Sequence, residues 1–262
     1  MATALYDTIG RTYDTTRHAD RDLVRRLARH LNLTAGARYL DVGCGTGNYT
    51  VALQNLGARM HGVELSSTML SKARLKNDRV TWIHGNAEQL PFRDRSFAGA
   101  IATFTIHHMK NPWRTFAEVY RTLDSGRFSI FTADHPQMRG YWLAEYFPAA
   151  IARVIEKMPS AEEIERNLRA AGFSTVEYEP WEIPEDIQDW FLYAGKHRPE
   201  IYFDPAVRAG ISFFAQGVVT PEETAAGCAR LKADIESGRF AEVAARYRHD
   251  LGDCLFVIAN KP

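Results

Sequence analysis

The chain has 262 residues, 45% of them hydrophobic, and its 32 Lys and Arg balance 32 Asp and Glu, so its formal charge is zero. That length supports a sizeable core, as one large domain or one carrying an insertion, and the missing basic excess argues against a general nucleic-acid surface, which works by displacing counterions. No apolar run approaches the ~18 residues of a transmembrane helix, and the N-terminus, polar from Asp7, lacks the apolar region of a secretory signal. Cys44, Cys228 and Cys254 are an odd number without metal spacing, which suits a reducing cytoplasm and predicts no metal site and no disulfide framework.

Along the chain, Tyr6, Tyr13 and Arg17 share roughly one face if their segment is helical, as a docking surface or as a cover for a site. Asp20 caps a helix whose Leu23, Val24, Leu27 and Leu31 recur at helical spacing. The stretch Arg38 to Thr50, RYLDVGCGTGNYT, reads as a strand, a tight loop with Gly43, Gly45 and Gly47, and a helix start. Such a loop brings backbone close to a ligand, and the helix start favours an anionic or polar group. A dinucleotide fingerprint would need its third glycine at Asn48, and a P-loop would need Gly-Lys-Ser/Thr, so neither fits. Cys44, inside the loop, reads as a small residue that fits rather than a nucleophile.

A second strand, Arg59 to Val63, ends in Glu64, where α/β nucleotide folds place the carboxylate that binds ribose hydroxyls. Ser66 or Ser67 opens the next helix, with Met69 as core or pocket wall. Val80 to His84 is a third strand followed by Asn86, whose amide suits an adenine edge. A fourth strand, Phe97 to Phe104, runs into His107 and His108; Asn111-Pro112 starts a helix that Gly126 ends; Phe128 to Thr132 is a fifth strand. Alternation of strands and helices predicts a parallel sheet covered on both faces, with ligands beyond the strands' carboxyl ends. The glycine loop, Glu64, Asn86, residues 103–108 and Asp134-His135 all fall on that edge.

Beyond it, residues 135–146 are aromatic and irregular. Ser160 to Glu163 forms a capping box for a helix that stops at Gly172, and Phe173 to Tyr178 pairs with a final strand, Cys254 to Asn260. The intervening 179–253 stretch is aromatic, carries a capped helix from Thr220, and reads as an inserted lid. The domains expected are an N-terminal segment (1–36) covering the site, a core (37–178 and 254–262), and a helical lid (179–253).

Taken in order, Asp41-x-Gly-x-Gly-x-Gly47, Glu64, Gly85-Asn-Ala-Glu88, Leu90-Pro-Phe92 and Ser96-Phe97 through His108 resemble the class I S-adenosylmethionine-dependent methyltransferases, most closely the small-molecule group that includes the quinone-ring enzymes. The resemblance implies an α/β, Rossmann-like sheet of seven strands, mostly parallel with the last strand antiparallel. It also implies S-adenosylmethionine as donor and S-adenosylhomocysteine as product. By position, Asp41 and the backbone of Gly43, Cys44, Gly45 and Gly47 would hold the methionine portion and Glu64 the ribose. Leu65 would pack on the adenine, Asn86 with Ala87 would meet its edge, Met69 would serve the donor site as pocket wall, and Thr103 would close the donor from the fourth strand. In similar proteins the N-terminal segment folds over the donor, which puts Tyr13 and Arg17 within reach of its carboxylate.

Three positions depart from the family pattern: Asn86 and Ala98 where Asp is common, and Leu123-Asp-Ser-Gly126 in place of Lys-Pro-Gly. Methyl transfer from a sulfonium mainly needs alignment and exclusion of water, and a base only when the acceptor must lose a proton. His108 is the first candidate for that base and His135 the second. The aromatic lid predicts a small, apolar or planar acceptor. Two other readings stand beside this one: a non-catalytic module that binds S-adenosylmethionine, and an enzyme transferring another group from a related cofactor.

Overall fold

In the computed structural model, which describes residues 13–214 and 218–262, seven strands join one sheet in the order β3-β2-β1-β4-β5-β7-β6. They are β1 (Arg38–Val42), β2 (Arg59–Glu64), β3 (Thr81–His84), β4 (Phe97–Thr103), β5 (Leu123–Thr132), β6 (Thr175–Trp181) and β7 (Cys254–Lys261). β1 to β5 pair in parallel, whereas β7 runs antiparallel to both β5 and β6. The mostly parallel, seven-stranded sheet with a reversed last strand is therefore as the family resemblance implies. β7 can lie between two strands because Cys254 to Ala259 are all buried, as a strand covered on both faces requires.

Helices α1 (Arg21–His30), α2 (Asn48–Asn55), α3 (Ser67–Lys76) and α4 (Pro112–Thr122) cover the sheet. Asp20, Ser66 and Asn111 cap α1, α3 and α4 through their side chains, as short polar residues at those places should. The strands alternate their side chains between two apolar clusters: Tyr39, Met60, Phe131 and Phe256 face one side, and Leu40, Val42, Phe128 and Val257 the other. The strand order reverses between β1 and β4, the place where open α/β sheets leave a crevice beyond their carboxyl ends.

Gly126 does not end α4. The helix stops at Thr122 and β5 starts at Leu123, with Gly126 inside the strand at φ +109°, where a Cβ would stand 2.2 Å from the Ala98 carbonyl. The β4–β5 register shifts between Phe97 and Gly99, so the glycine serves a bulge rather than a helix stop. Residues 135–155 form three short helices, α5 (His135–Arg139), α6 (Leu143–Tyr146) and α7 (Pro148–Ile155). α5 carries an Asp134/Gln137 capping box, and α7 starts at Pro148.

The 160–163 and 220–223 boxes open α8 (Ala161–Ala171) and, after α9 (Pro205–Ala209), α10 (Pro221–Glu236), ahead of α11 (Phe240–Arg246). Strand β6 reaches Trp181, three residues into the stretch expected to be lid. Met138, Trp142, Tyr146 and Phe147 share one apolar cluster with Phe191, Tyr193, Tyr202 and Phe213, so residues 135–158 pack as one layer with the segment after β6. Asp253 closes that segment at its base, accepting from Ile183 N (2.7 Å) and Lys196 Nζ (2.7 Å).

Candidate functional site

Beyond the carboxyl ends of β1 to β4 lies a cleft of about 760 Å³. Its floor is the glycine loop. Gly43 and Gly47 sit at φ +70° and +78°; a Cβ on Gly43 would stand 2.1 Å from Thr105 Oγ1, and one on Gly47 2.3 Å from the Trp82 ring. Glycine is required there by close approach as well as by backbone angle. The loop is tied down by Gly43 N and Cys44 N donating to the Val63 carbonyl, so these two N–H groups face the sheet rather than a ligand.

Glu64, at the tip of β2, accepts from Ser66 N through Oε1 (2.8 Å) and from Gly45 N through Oε2 (3.0 Å). An ionised carboxylate has about four acceptor positions, which leaves roughly two for a ligand. Burial raises its pKa, and the Ser66 and Gly45 N–H groups oppose that rise. Leu65, exposed, and Met69, buried, line the same cleft with Asn86, Ala87 and Thr103. Asn86 Oδ1 accepts from Glu88 N (2.9 Å), which steadies the loop.

Asp41 stands apart from this group. Its side chain turns to α2, where Oδ2 accepts from Thr50 Oγ1 (2.6 Å), and it lines neither the cleft nor the smaller cavity beside it. Among the described residues Oδ1 has no partner, and burial pushes the carboxyl up to about 7. Cys44 is buried with its thiol pKa raised by burial, an environment that suits packing and not nucleophilic chemistry.

The N-terminal segment folds over the loop; Tyr6 lies outside the described residues. Asp14 accepts from Thr46 Oγ1 (2.5 Å) and Lys76 Nζ (2.7 Å), and Lys76 also reaches Asn48 Oδ1 (2.5 Å). Asn48 Nδ2 donates to the Arg17 carbonyl (2.9 Å). Tyr13 lines the cleft. Arg17 lies at 4.7 Å from the Tyr13 ring centroid and donates to Asp189, Nε to Oδ1 (2.5 Å) and Nη2 to Oδ2 (3.2 Å). Tyr49 Oη donates to the same Asp189 oxygen as Nη2 (3.0 Å). Of these, Tyr13, Arg17, Thr46, Asn48, Tyr49 and Asp189 line a cavity of about 50 Å³ that shares Tyr13, Gly43, Gly45, Thr103 and Phe104 with the cleft.

His108 lines the cleft, and burial lowers its pKa to about 4, so the imidazole is neutral near pH 7. His107 packs against it with its ring tilted by 48°, at 3.9 Å between centroids. His135 does not line the cleft: it begins α5 and its Nε2 meets the Met158 carbonyl at 2.8 Å. Nor do the aromatic residues of the segment after β6, since Phe191, Tyr193, Tyr202 and Phe213 are buried against one another. The apolar wall beside His108 comes instead from Tyr13, Phe104 and Met109. Phe104 holds φ +47°, a strained angle for an aromatic residue, and packs on Phe131 and Phe191. Among the described residues, no group of His, Cys, Asp and Glu is arranged to hold a metal ion, and no helix is long and apolar enough to cross a membrane.

Sequence reasoning missed Asp14, Thr46, Tyr49, Lys76 and Asp189. Tyr49 follows the glycine loop directly and was within reach of a motif argument. Asp189, 172 positions from Arg17, carries no local signal.

Residues 40–131 match the family model described as a methyltransferase domain. The demethylmenaquinone methyltransferase of Clavibacter sepedonicus is 30% identical over 206 residues, covering 68% of this chain and 84% of that protein. The O-methyltransferase resE of Aspergillus sclerotiorum is 30% identical over 186 residues, 63% of this chain and 65% of that protein. Among solved structures, a protein of Anabaena variabilis, provisionally described as a methyltransferase from an antibiotic biosynthesis pathway, superposes with TM-score 0.83. It is 32% identical, covering 93% of this chain and 98% of that one.

Proposed function

The chain belongs to the class I S-adenosylmethionine-dependent methyltransferases, and on that premise we propose that its cleft holds the donor across the tips of β1, β2 and β3, with a small-molecule acceptor beside His108. One observation carries the placement: the Glu64 carboxylate, fixed by two backbone N–H groups at the end of β2, keeps acceptor capacity for a pair of neighbouring hydroxyls. A cleft of about 760 Å³ has the size of a small-ligand site. In this reading Glu64 grips the ribose, Leu65 and Met69 flank the adenine, and Asn86 with Ala87 meets its edge. The backbone from Gly43 to Gly47 and Thr103 run beside the methionine portion, while Asp41 supports the loop from behind.

Bound there, S-adenosylmethionine supplies a sulfonium methyl that passes to the acceptor's nucleophile and leaves S-adenosylhomocysteine. The chain contributes alignment and exclusion of water, through Tyr13, the 13–17 segment and the lid, or cap, between β6 and β7. Where the acceptor carries a hydroxyl, neutral His108 accepts its proton. His135, held by the Met158 carbonyl away from the cleft, takes no part. Tyr13, Phe104 and Met109 favour an acceptor with a planar or apolar body, in keeping with relatives named for a menaquinone precursor and for O-methylation. The zero formal charge argues against a nucleic-acid acceptor, and three free cysteines fit a reducing cytoplasm.

A non-catalytic module using its lid as a partner surface would turn those aromatics outward; here they are buried. The test is transfer of radiolabelled methyl from the donor to a panel of phenols, hydroxyquinones and amines. Labelled product from a planar hydroxylated acceptor is expected. Tight donor binding without transfer to any acceptor would favour the binding module.

A further inference from the structure

The Arg17–Asp189 pair is an unusual wall for the small cavity beside the cleft. Both side chains are nearly buried, at 12% and 3% exposure, and both line the space of about 50 Å³ that shares Tyr13, Gly43, Gly45, Thr103 and Phe104 with the donor cleft. A buried ion pair carries a desolvation cost that packing alone does not repay, and here the pair borders open volume. Neither partner is saturated. Asp189 accepts from Arg17 Nε, Arg17 Nη2 and Tyr49 Oη, three of a carboxylate's roughly four positions. Among the described residues, Arg17 spends two of its five N–H groups on Asp189. The cavity therefore presents one cation and one anion side by side, with acceptor and donor capacity left on each. Its volume holds about four waters.

We infer that Asp189 is a donor-recognition residue. The cap delivers its carboxylate to bind the α-ammonium of the methionine portion, while Arg17 beside it binds the carboxylate. This rests on the donor placement proposed above. It makes the cap part of the donor site and not only a cover, and it predicts discrimination against nucleosides that lack the zwitterion.

Calorimetry tests it with three ligands: S-adenosylhomocysteine, its deaminated analogue that keeps the carboxylate, and 5′-methylthioadenosine, which has neither charge. In the unaltered chain, removing the ammonium weakens binding about ten- to hundredfold, the worth of a hydrogen bond to a charged group. In Asp189→Asn the same removal costs no more than about twofold, and methylthioadenosine binds as before, which also shows that the site is folded. If Asp189→Asn weakens the deaminated analogue as much as S-adenosylhomocysteine, Asp189 acts only by holding Arg17 and the inference is overturned. Equal binding of S-adenosylhomocysteine and its deaminated analogue by the unaltered chain overturns it without any variant. Failure of the unaltered chain to bind any of the three removes the donor placement itself.

Discussion

Asp41 stores a pH-dependent cost beneath the glycine loop, and Asp41→Asn reads it directly. Burial raises its carboxyl from an ordinary 3.8 to about 7, opposed by the Thr50 hydroxyl and reinforced by Glu64. The folded chain thus keeps a proton that the unfolded chain releases above about pH 4. The stability this supplies is fully present below that pH and is lost as pH rises through about 7. A gap of about three pH units at ~1.36 kcal/mol each amounts to about 4 kcal/mol, of which about 3 kcal/mol falls between about pH 4.5 and about pH 8. Asparagine mimics the protonated acid: it can still accept from Thr50 and cannot ionise. Urea unfolding of both proteins at those two pH values isolates the group, because all other titrations are shared. Asp41→Asn should lie within about 1 kcal/mol of the parent at the low pH and gain about 3 kcal/mol on it at the high one. An equal loss at both pH values would refute the argument and make Asp41 an ionised structural anion.

Two further outcomes follow from the site. Gly43→Ala must place a Cβ 2.1 Å from Thr105 Oγ1 at φ +70°, whereas Gly36→Ala, at φ +77°, meets nothing within 4 Å. Thermal unfolding should show about 1–2 kcal/mol lost for Gly36→Ala and at least about 2 kcal/mol more for Gly43→Ala, with donor affinity falling only in the latter; equal losses would mean the contact is relieved elsewhere. With His108 as proton acceptor, kcat/KM for a hydroxylated acceptor should be level between about pH 6 and about pH 8 and fall toward pH 4, where the imidazole takes a proton. A profile that still rises through about pH 7, or an unchanged rate in His108→Ala, would remove it from the proton transfer.

Features carried by a few neighbouring residues were legible in the sequence. Strand, glycine loop and helix at 38–50, the caps at Asp20, Asn111, Ser160 and Thr220, and Glu64 at a strand tip each depend on local spacing, and each forms. Position and orientation set by distant packing were not. Alternation along β1 turns Asp41 toward Thr50, although the motif alone pointed it at a ligand. The aromatics after β6 could equally have lined a pocket or formed a core; only the helices at 135–155, which they pack against, decide for the core. Gly126 looked like a helix stop because the Ala98 carbonyl it must clear belongs to another strand.

Donor binding depends above all on Glu64 gripping the sugar, and calorimetric titration of S-adenosylhomocysteine into Glu64→Ala tests that grip most directly. Loss of two charge-assisted hydrogen bonds should weaken binding about a hundredfold or more, with the far-ultraviolet circular dichroism unchanged. Undiminished affinity in that variant would contradict the placement of the donor across β1, β2 and β3.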